Sequence, residues 1–241
     1  MAKIAEGIHF VAGQDEFIPD SHVYIVGEPG SDDLSMIDLG LTGKGGYKVG
    51  AIKKMGIEPS SIKRVIMTHT HLDHIGCFAE VQKQIPGIEL WVHTKEGELL
   101  EKGEDDAVYG MREFKGMCQM QYGLKPGAFT FKVDRKLEGG ETLNLGNMSW
   151  EVVHIPGHSM GGIALYNRAL KTLIPGDVVY ADYAIGRFDL YGADAGQLKA
   201  SLYRLAELEV DILLPGHNQI VKNLPADYIM KTAKTWEPYL T

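Results

Sequence analysis

A chain of 241 residues that is 44% hydrophobic and 23% charged can bury a sizeable core. Its net charge of −8, spread without a long run of one sign, argues against nucleic acid or an anionic membrane as partner and leaves a small anionic substrate open. No apolar run approaches the roughly 18–20 residues that cross a bilayer, and residues 1–6 lack the apolar core of a signal peptide. Two cysteines, Cys77 and Cys118, give neither a disulfide framework nor a CxxC motif. The expected compartment is the cytoplasm.

In chain order, strands are expected at 8–11, 22–26 and 34–39, the last closed by Asp38-Leu39-Gly40. A glycine-rich stretch leads to a helix over 46–55, and a short strand at 63–67 delivers a histidine-rich loop. A helix over 78–85 stops at Pro86-Gly87, and 89–93 is again a strand. Residues 95–125 read as a helical excursion, with Met111, Phe114, Met117, Met120 and Tyr122 at helical spacing. That segment is a wall or lid for a site, a dimerisation surface of a homodimer, or a helix pair burying its stripe. Strands return at 129–132, 142–145, 148–154, 163–166 and 173–174. A helix over 195–208, a core strand at 211–214 and a helical tail over 225–236 follow. Strands then helices, twice over, suggest two packed sheets with helices outside, in one domain covering 1–241.

The chemistry concentrates in Thr68-His69-Thr70-His71-Leu72-Asp73-His74. Imidazole and carboxylate are favoured ligands of zinc, iron and manganese. Three more ligand types follow glycine in Pro-Gly turns: Pro156-Gly157-His158, Pro175-Gly176-Asp177 and Pro215-Gly216-His217. Each turn follows an apolar run that reads as a strand. His69 and His71, two apart on an extended loop, point to one side and can share an ion. Asp73 and His74 lie where the loop turns and can face a second. His158 completes the first set, His217 the second, and Asp177 can bridge. Two divalent ions, zinc before iron or manganese, would hold a bridging hydroxide as nucleophile, with Asp73 as the catalytic group that orients it or takes its proton. His22 is a candidate for the substrate pocket. His9, His93 and His154 read as structural, and Cys77 as a small buried thiol.

These residues resemble the metallo-β-lactamase superfamily, whose hallmark reads here as His69-Thr70-His71-Leu72-Asp73-His74, then His158, Asp177 and His217. The resemblance runs from the first strands to His217 and implies an α/β, four-layer αββα sandwich. Asp38 matches the acidic residue that supports the metal loop. Residues 185–189, with Ser201-Leu202, look like the glyoxalase II-like branch. That likeness implies an ion pair between Arg187 and Asp189 anchoring the loop after Asp177.

The resemblance implies hydrolysis of a small ester, thioester or lactone. Asp177 stands against antibiotic hydrolysis, since true β-lactamases place cysteine there or lack a bridging carboxylate. Tyr180 or Tyr183, soon after Asp177, could donate a hydrogen bond to substrate. Departures from the glyoxalase II pattern lie at Ile75-Gly76-Cys77, at Asn218-Gln219-Ile220-Val221 and in a tail without a basic glutathione-gripping segment. The alternative on the same fold is a mononuclear iron dioxygenase acting on persulfides. A non-catalytic member is opposed by the intact ligand set.

Overall fold

The computed structural model describes residues 2–14 and 19–241. Contacts divide the chain into two compact units. One holds the residues up to Lys136 with Asn144–Met148, and the other holds Leu137–Leu143 with Ser149–Thr241.

In the first unit β1 (Ala2–Ala5), β2 (Ile8–Val11), β3 (Val23–Val26) and β4 (Leu34–Ile37) form an antiparallel meander. Helix α1 (Gly45–Lys54) crosses to β5 (Ile62–Ile66), which runs parallel to β4. The short α2 (Leu72–Ile75) and α3 (Phe78–Gln84) lead to β6 (Glu89–His93), parallel to β5. Then come α4 (Thr94–Lys102), a 3-10 turn at Asp105–Ala107 and α5 (Lys115–Tyr122). Strand β7 (Arg135–Leu137) completes a seven-stranded sheet in the order β1 to β7. Every residue of β3 and β4 is buried, which is why both read as apolar runs without alternation. The core of this unit includes Ile25, Met36, Val65, Phe78 and Leu90.

The register pairs Ile37 with Ile66, so β4 and β5 end level at their carboxyl ends. Asp38 and the histidine loop both emerge there. In open α/β sheets this edge is where ligand-binding loops gather.

A six-stranded sheet, ordered β13-β12-β11-β10-β9-β8, belongs chiefly to the second unit. Its strands are β8 (Thr142–Leu145), β9 (Met148–His154), β10 (Ile163–Asn167), β11 (Thr172–Ile174), β12 (Ile212–Leu213) and β13 (Val221–Lys222). Strand β10 is antiparallel to both β9 and β11, so β9 and β11 run the same way; β12 is parallel to β11. The carboxyl ends of β9, β11 and β12 therefore share one edge, and His158, Asp177 and His217 follow them. Helix α6 (Ala195–Ala206) starts where Asp194 Oδ1 accepts the Gln197 N–H at 2.7 Å. It buries Leu198, Ser201, Leu202 and Leu205, a stripe at helical spacing. Helix α7 (Tyr228–Trp236) buries Tyr228, Ile229, Thr232 and Ala233.

Most expected elements stand where the sequence placed them, with ends shifted by up to three residues. Several features differ. Residues 129–132 are no strand: Phe129 is buried and Phe131 packs on Phe78, but the backbone N–H groups bond to a turn and a helix end in place of a strand ladder. Thr130 N–H goes to the Gly127 carbonyl and Phe131 N–H to that of Leu100, so aromatic anchors on a loop mimic strand alternation. The short strands β1, β7 and β13 were not expected. The 95–125 stripe is divided: Met111 is buried and Met117 half-buried, while Phe114 is exposed and Met120 is 86% exposed. Among the described residues no helix is long and apolar enough to cross a membrane.

Candidate metal centre

In the first unit Asp38 organises the histidine loop. It sits at φ 58°, a left-handed conformation that Asp tolerates better than most residues, and it is buried. Its Oδ1 accepts the Thr68 N–H at 2.8 Å, and its Oδ2 accepts the Thr68 hydroxyl at 2.8 Å. His74 Nδ1 lies 3.0 Å from the same Oδ2. A carboxylate only accepts, so Nδ1 is the protonated nitrogen of His74 and Nε2 keeps the lone pair. Thr68 passes the effect on. With its hydrogen given to Asp38, its Oγ1 accepts from His69 Nδ1 at 3.1 Å, which leaves Nε2 of His69 as the ligand nitrogen too. The His69 and His71 rings lie 4.5 Å apart, and those of His69 and His74 lie 4.0 Å apart. Ligand atoms of His69 and His71 lie within 4.8 Å of each other, as do those of Asp73 and His74.

The loop backbone is held from three directions. Ser21 N–H donates to the Asp73 carbonyl at 3.1 Å, and Leu39 and Gly40 N–H donate to that of His74 at 3.1 and 2.7 Å. From the 95–125 segment, the Ala107 carbonyl accepts the Thr70 hydroxyl, the Tyr109 carbonyl accepts the Leu72 N–H at 3.2 Å, and the Tyr109 ring lies 5.3 Å from that of His71. Residues 107–109 thus buttress the histidine loop.

Behind Ser21 lies a buried ion pair that sequence reading missed. Lys48 Nζ is 2.9 Å from Asp20 Oδ2 and donates to the Ser21 carbonyl at 2.6 Å, with both side chains fully buried. Burial holds the Lys48 ammonium below its usual pKa, and the Asp20 charge opposes that. A signal existed: Lys48 stands with Gly45, Val49 and Ile52 on the buried stripe of α1.

In the second unit the three turns converge. Gly216 N–H donates to the Gly176 carbonyl at 2.9 Å, joining the turns that carry His217 and Asp177. Asp177 Oδ2 lies 3.4 Å from His217 Nε2 and 3.8 Å from His158 Nε2. Those gaps exceed the usual hydrogen bond of about 2.7–3.2 Å. Two ligands at about 2.0–2.1 Å from one tetrahedral ion stand about 3.3 Å apart, close to the shorter gap. His158 Nδ1 gives its hydrogen to the Arg187 carbonyl at 2.7 Å, again leaving Nε2 for an ion. Gly186 makes this possible: a Cβ there would overlap the Asp177 carbonyl oxygen and come within 2.8 Å of His158 Nδ1. Arg187 and Asp189 form the expected pair, with two contacts of 2.9 Å, both side chains largely exposed. Ser201 ties α6 to the His158 turn through a 2.7 Å bond to the Pro156 carbonyl.

The pocket candidates differ from one another. The Tyr180 ring stands edge-on to His217, centroids 6.4 Å apart. Tyr183 is 40% exposed and stacks on Tyr228. His22 Nδ1 accepts the Gly13 N–H at 2.9 Å, and its ring meets Phe10 edge-on. His9, His93 and His154 have local partners: His9 lies 3.9 Å from Glu28, His93 accepts the Lys95 N–H at the start of α4, and His154 Nε2 lies 3.4 Å from the Met160 carbonyl. Cys77 is buried and its thiol pKa is pushed up by burial, so it is no nucleophile.

A model of the metallo-beta-lactamase superfamily matches residues 19–217, a span that contains all seven ligand-type residues and Asp38. The chain belongs to that superfamily. Its mixed sheets with helices are those of the superfamily's α/β sandwich fold, and its His and Asp residues suit a divalent-metal site of the superfamily. It is similar to the hydroxyacylglutathione hydrolase GloC of Haemophilus influenzae, at 30% identity over 65% of this chain and 69% of the relative. It is similar to the acyl-coenzyme A thioesterase MBLAC2 of Gallus gallus, at 30% identity over 69% of this chain and 62% of the relative. Among solved structures the BLEG-1 B3 metallo-beta-lactamase matches with a TM-score of 0.70 at 26% identity, covering 92% of this chain and 94% of that one. Metallo-hydrolase chemistry, with glyoxalase II-like and thioesterase relatives, is the family context of this chain.

Proposed function

We propose that this protein is a dinuclear metal-dependent hydrolase of a small thioester, with esters and lactones as related substrates. In this reading both units form one domain. His69, His71 and His158 hold one ion, Asp73, His74 and His217 hold the other, and Asp177 is shared. The observation that carries it is the Asp177 carboxylate facing two imidazole nitrogens at 3.4 and 3.8 Å, with His158 oriented by the Arg187 carbonyl. The Asp38–Thr68 network supports it from the other ligand loop. The thioester preference draws on the activities for which GloC and MBLAC2 are named.

Bound divalent ions, zinc first and iron or manganese next, would lower the pKa of water toward about 7 and polarise a carbonyl. The protein's own groups do the rest. Asp38 and Thr68 keep His74 and His69 in the tautomer that presents Nε2. Asp73 takes the proton of the attacking water on its carboxylate. Tyr180, edge-on to His217, donates its hydroxyl to the substrate. Two buried cysteines suit a reducing compartment, and cytoplasmic location is part of the reading.

The test combines elemental analysis with a substrate panel. About two ions per chain, and turnover of hydroxyacylglutathione or acyl-coenzyme A above that of a lactone, a phosphodiester and a chromogenic β-lactam, are expected. Preference for the β-lactam overturns the substrate assignment. One iron per chain with oxygen uptake on a persulfide overturns the reaction class.

A further inference from the structure

We propose that Tyr228, on α7, is a positioning residue that sets the loop bearing Tyr180 by standing inside its turn; the inference rests on the proposed role of Tyr180 at the substrate. The loop leaves Asp177, bridges Val179 to Ile185 and closes with the Tyr180 N–H on the Ala184 carbonyl at 2.9 Å. Within it, Asp182 and Tyr183 both sit at φ 57°. Two consecutive non-glycine residues in the left-handed region persist only where their surroundings over-determine them.

Tyr228 supplies that determination. In a simple turn the carbonyl of the first residue accepts the N–H of the fourth. Here the Tyr228 hydroxyl stands between them. It accepts the Tyr183 N–H at 2.7 Å and donates to the Tyr180 carbonyl at 3.0 Å. The Tyr183 ring stacks on that of Tyr228 at 4.4 Å and 18°. About two turns further along α7, Trp236 Nε1 donates to the Tyr183 carbonyl at 2.8 Å. Both polar groups of the Tyr183 backbone and its ring are thus gripped by one helix. Burial raises the Tyr228 phenol pKa, so the hydroxyl stays protonated and able to donate. The result is a fixed stance for Tyr180, one side of which faces the His217 ring.

Tyr228→Phe removes only the oxygen and keeps the stack. Amide hydrogen exchange over 180–184 reads the clamp without any substrate. Exchange about tenfold or more faster in Tyr228→Phe, with the rest of the protein unchanged, is expected. Unchanged exchange overturns the clamp. Activity on the thioester then reads its purpose. Tyr228→Phe and Tyr180→Phe are each expected to lower kcat/KM about tenfold, chiefly through KM, and the double variant to lose no more than either alone. Fully additive losses overturn action through Tyr180. If the wild-type protein turns over no thioester, ester or lactone, the functional reading fails while the exchange result still decides the clamp. Trp236→Phe, which spares the hydroxyl bridge, provides a second variant should Tyr228→Phe not fold, with the same acceleration confined to 180–184 expected and its absence counting against the clamp.

Discussion

Lys48→Met is the sharpest perturbation of the scaffold behind the histidine loop. Methionine matches the length of the lysine stem but leaves the Asp20 carboxylate buried without its cation. Asp20 keeps the Leu41 and Gln14 N–H groups, each at 2.8 Å, and loses the 2.9 Å ammonium. The Ser21 carbonyl loses a 2.6 Å donor as well. There is no slack to relax into: a Cβ on Gly40 would overlap Asp20 Oδ1 and come within 2.8 Å of Lys48 Cε. Removing one partner of a buried pair costs about 3–5 kcal/mol. With a urea slope of about 3 kcal/mol/M, the midpoint should fall by about 1–1.7 M. The assay is urea denaturation followed by circular dichroism, run beside Asp20→Asn/Lys48→Met. The double variant removes the orphaned charge and should recover more than half of the loss. A loss below about 1 kcal/mol for Lys48→Met, or a double variant no better than the single, would refute the reasoning.

Asp38→Asn keeps a residue that tolerates φ 58° but puts an amide where three donors meet a carboxylate; metal affinity should fall about 10–100-fold in a chelator competition, with little change in fold. Gly186→Ala drives a methyl against the Asp177 carbonyl and His158 Nδ1, so metal content should fall in elemental analysis while circular dichroism stays native-like. Both thiols are buried with raised pKa values, so a disulfide thiol reagent at pH 8 should label neither Cys77 nor Cys118 in the native protein and both after denaturation. Rapid labelling of Cys77 in the native state would contradict its burial.

The ligand-type residues stood out because each group is local. Each ligand loop directly follows an apolar strand, and Pro-Gly turns mark three of them within the sequence itself. The strand edge followed from the same reading, while the Asp38 support and the Arg187–Asp189 pair followed from the family resemblance. What escaped was long-range pairing. Nothing near Asp20 announces Lys48, 28 positions on, and nothing near Tyr180 announces the Tyr228 hydroxyl. Residues 129–132 misled for the converse reason: alternating burial of Phe129 and Phe131 carries no information about where the backbone N–H groups go. In the 95–125 segment, the apolar spacing did not decide burial: Met111 is buried in a turn ahead of α5, while Met120 on α5 is exposed.

The level pairing of β11 with β12 has a bearing on how such a site can change over evolutionary time. Leu173 lies beside Leu213, and Asp177 and His217 each follow their strand by the same four positions. Parallel strands keep side-chain facing only when they slide by two residues, a jump of about 6.6 Å. The register beneath the two ligand turns is therefore quantised by the sheet, and only the turns themselves can make finer adjustments. A lineage on this scaffold keeps the two strand ends level and diversifies by changing what the turns present to the ion, or what its loops present to the substrate.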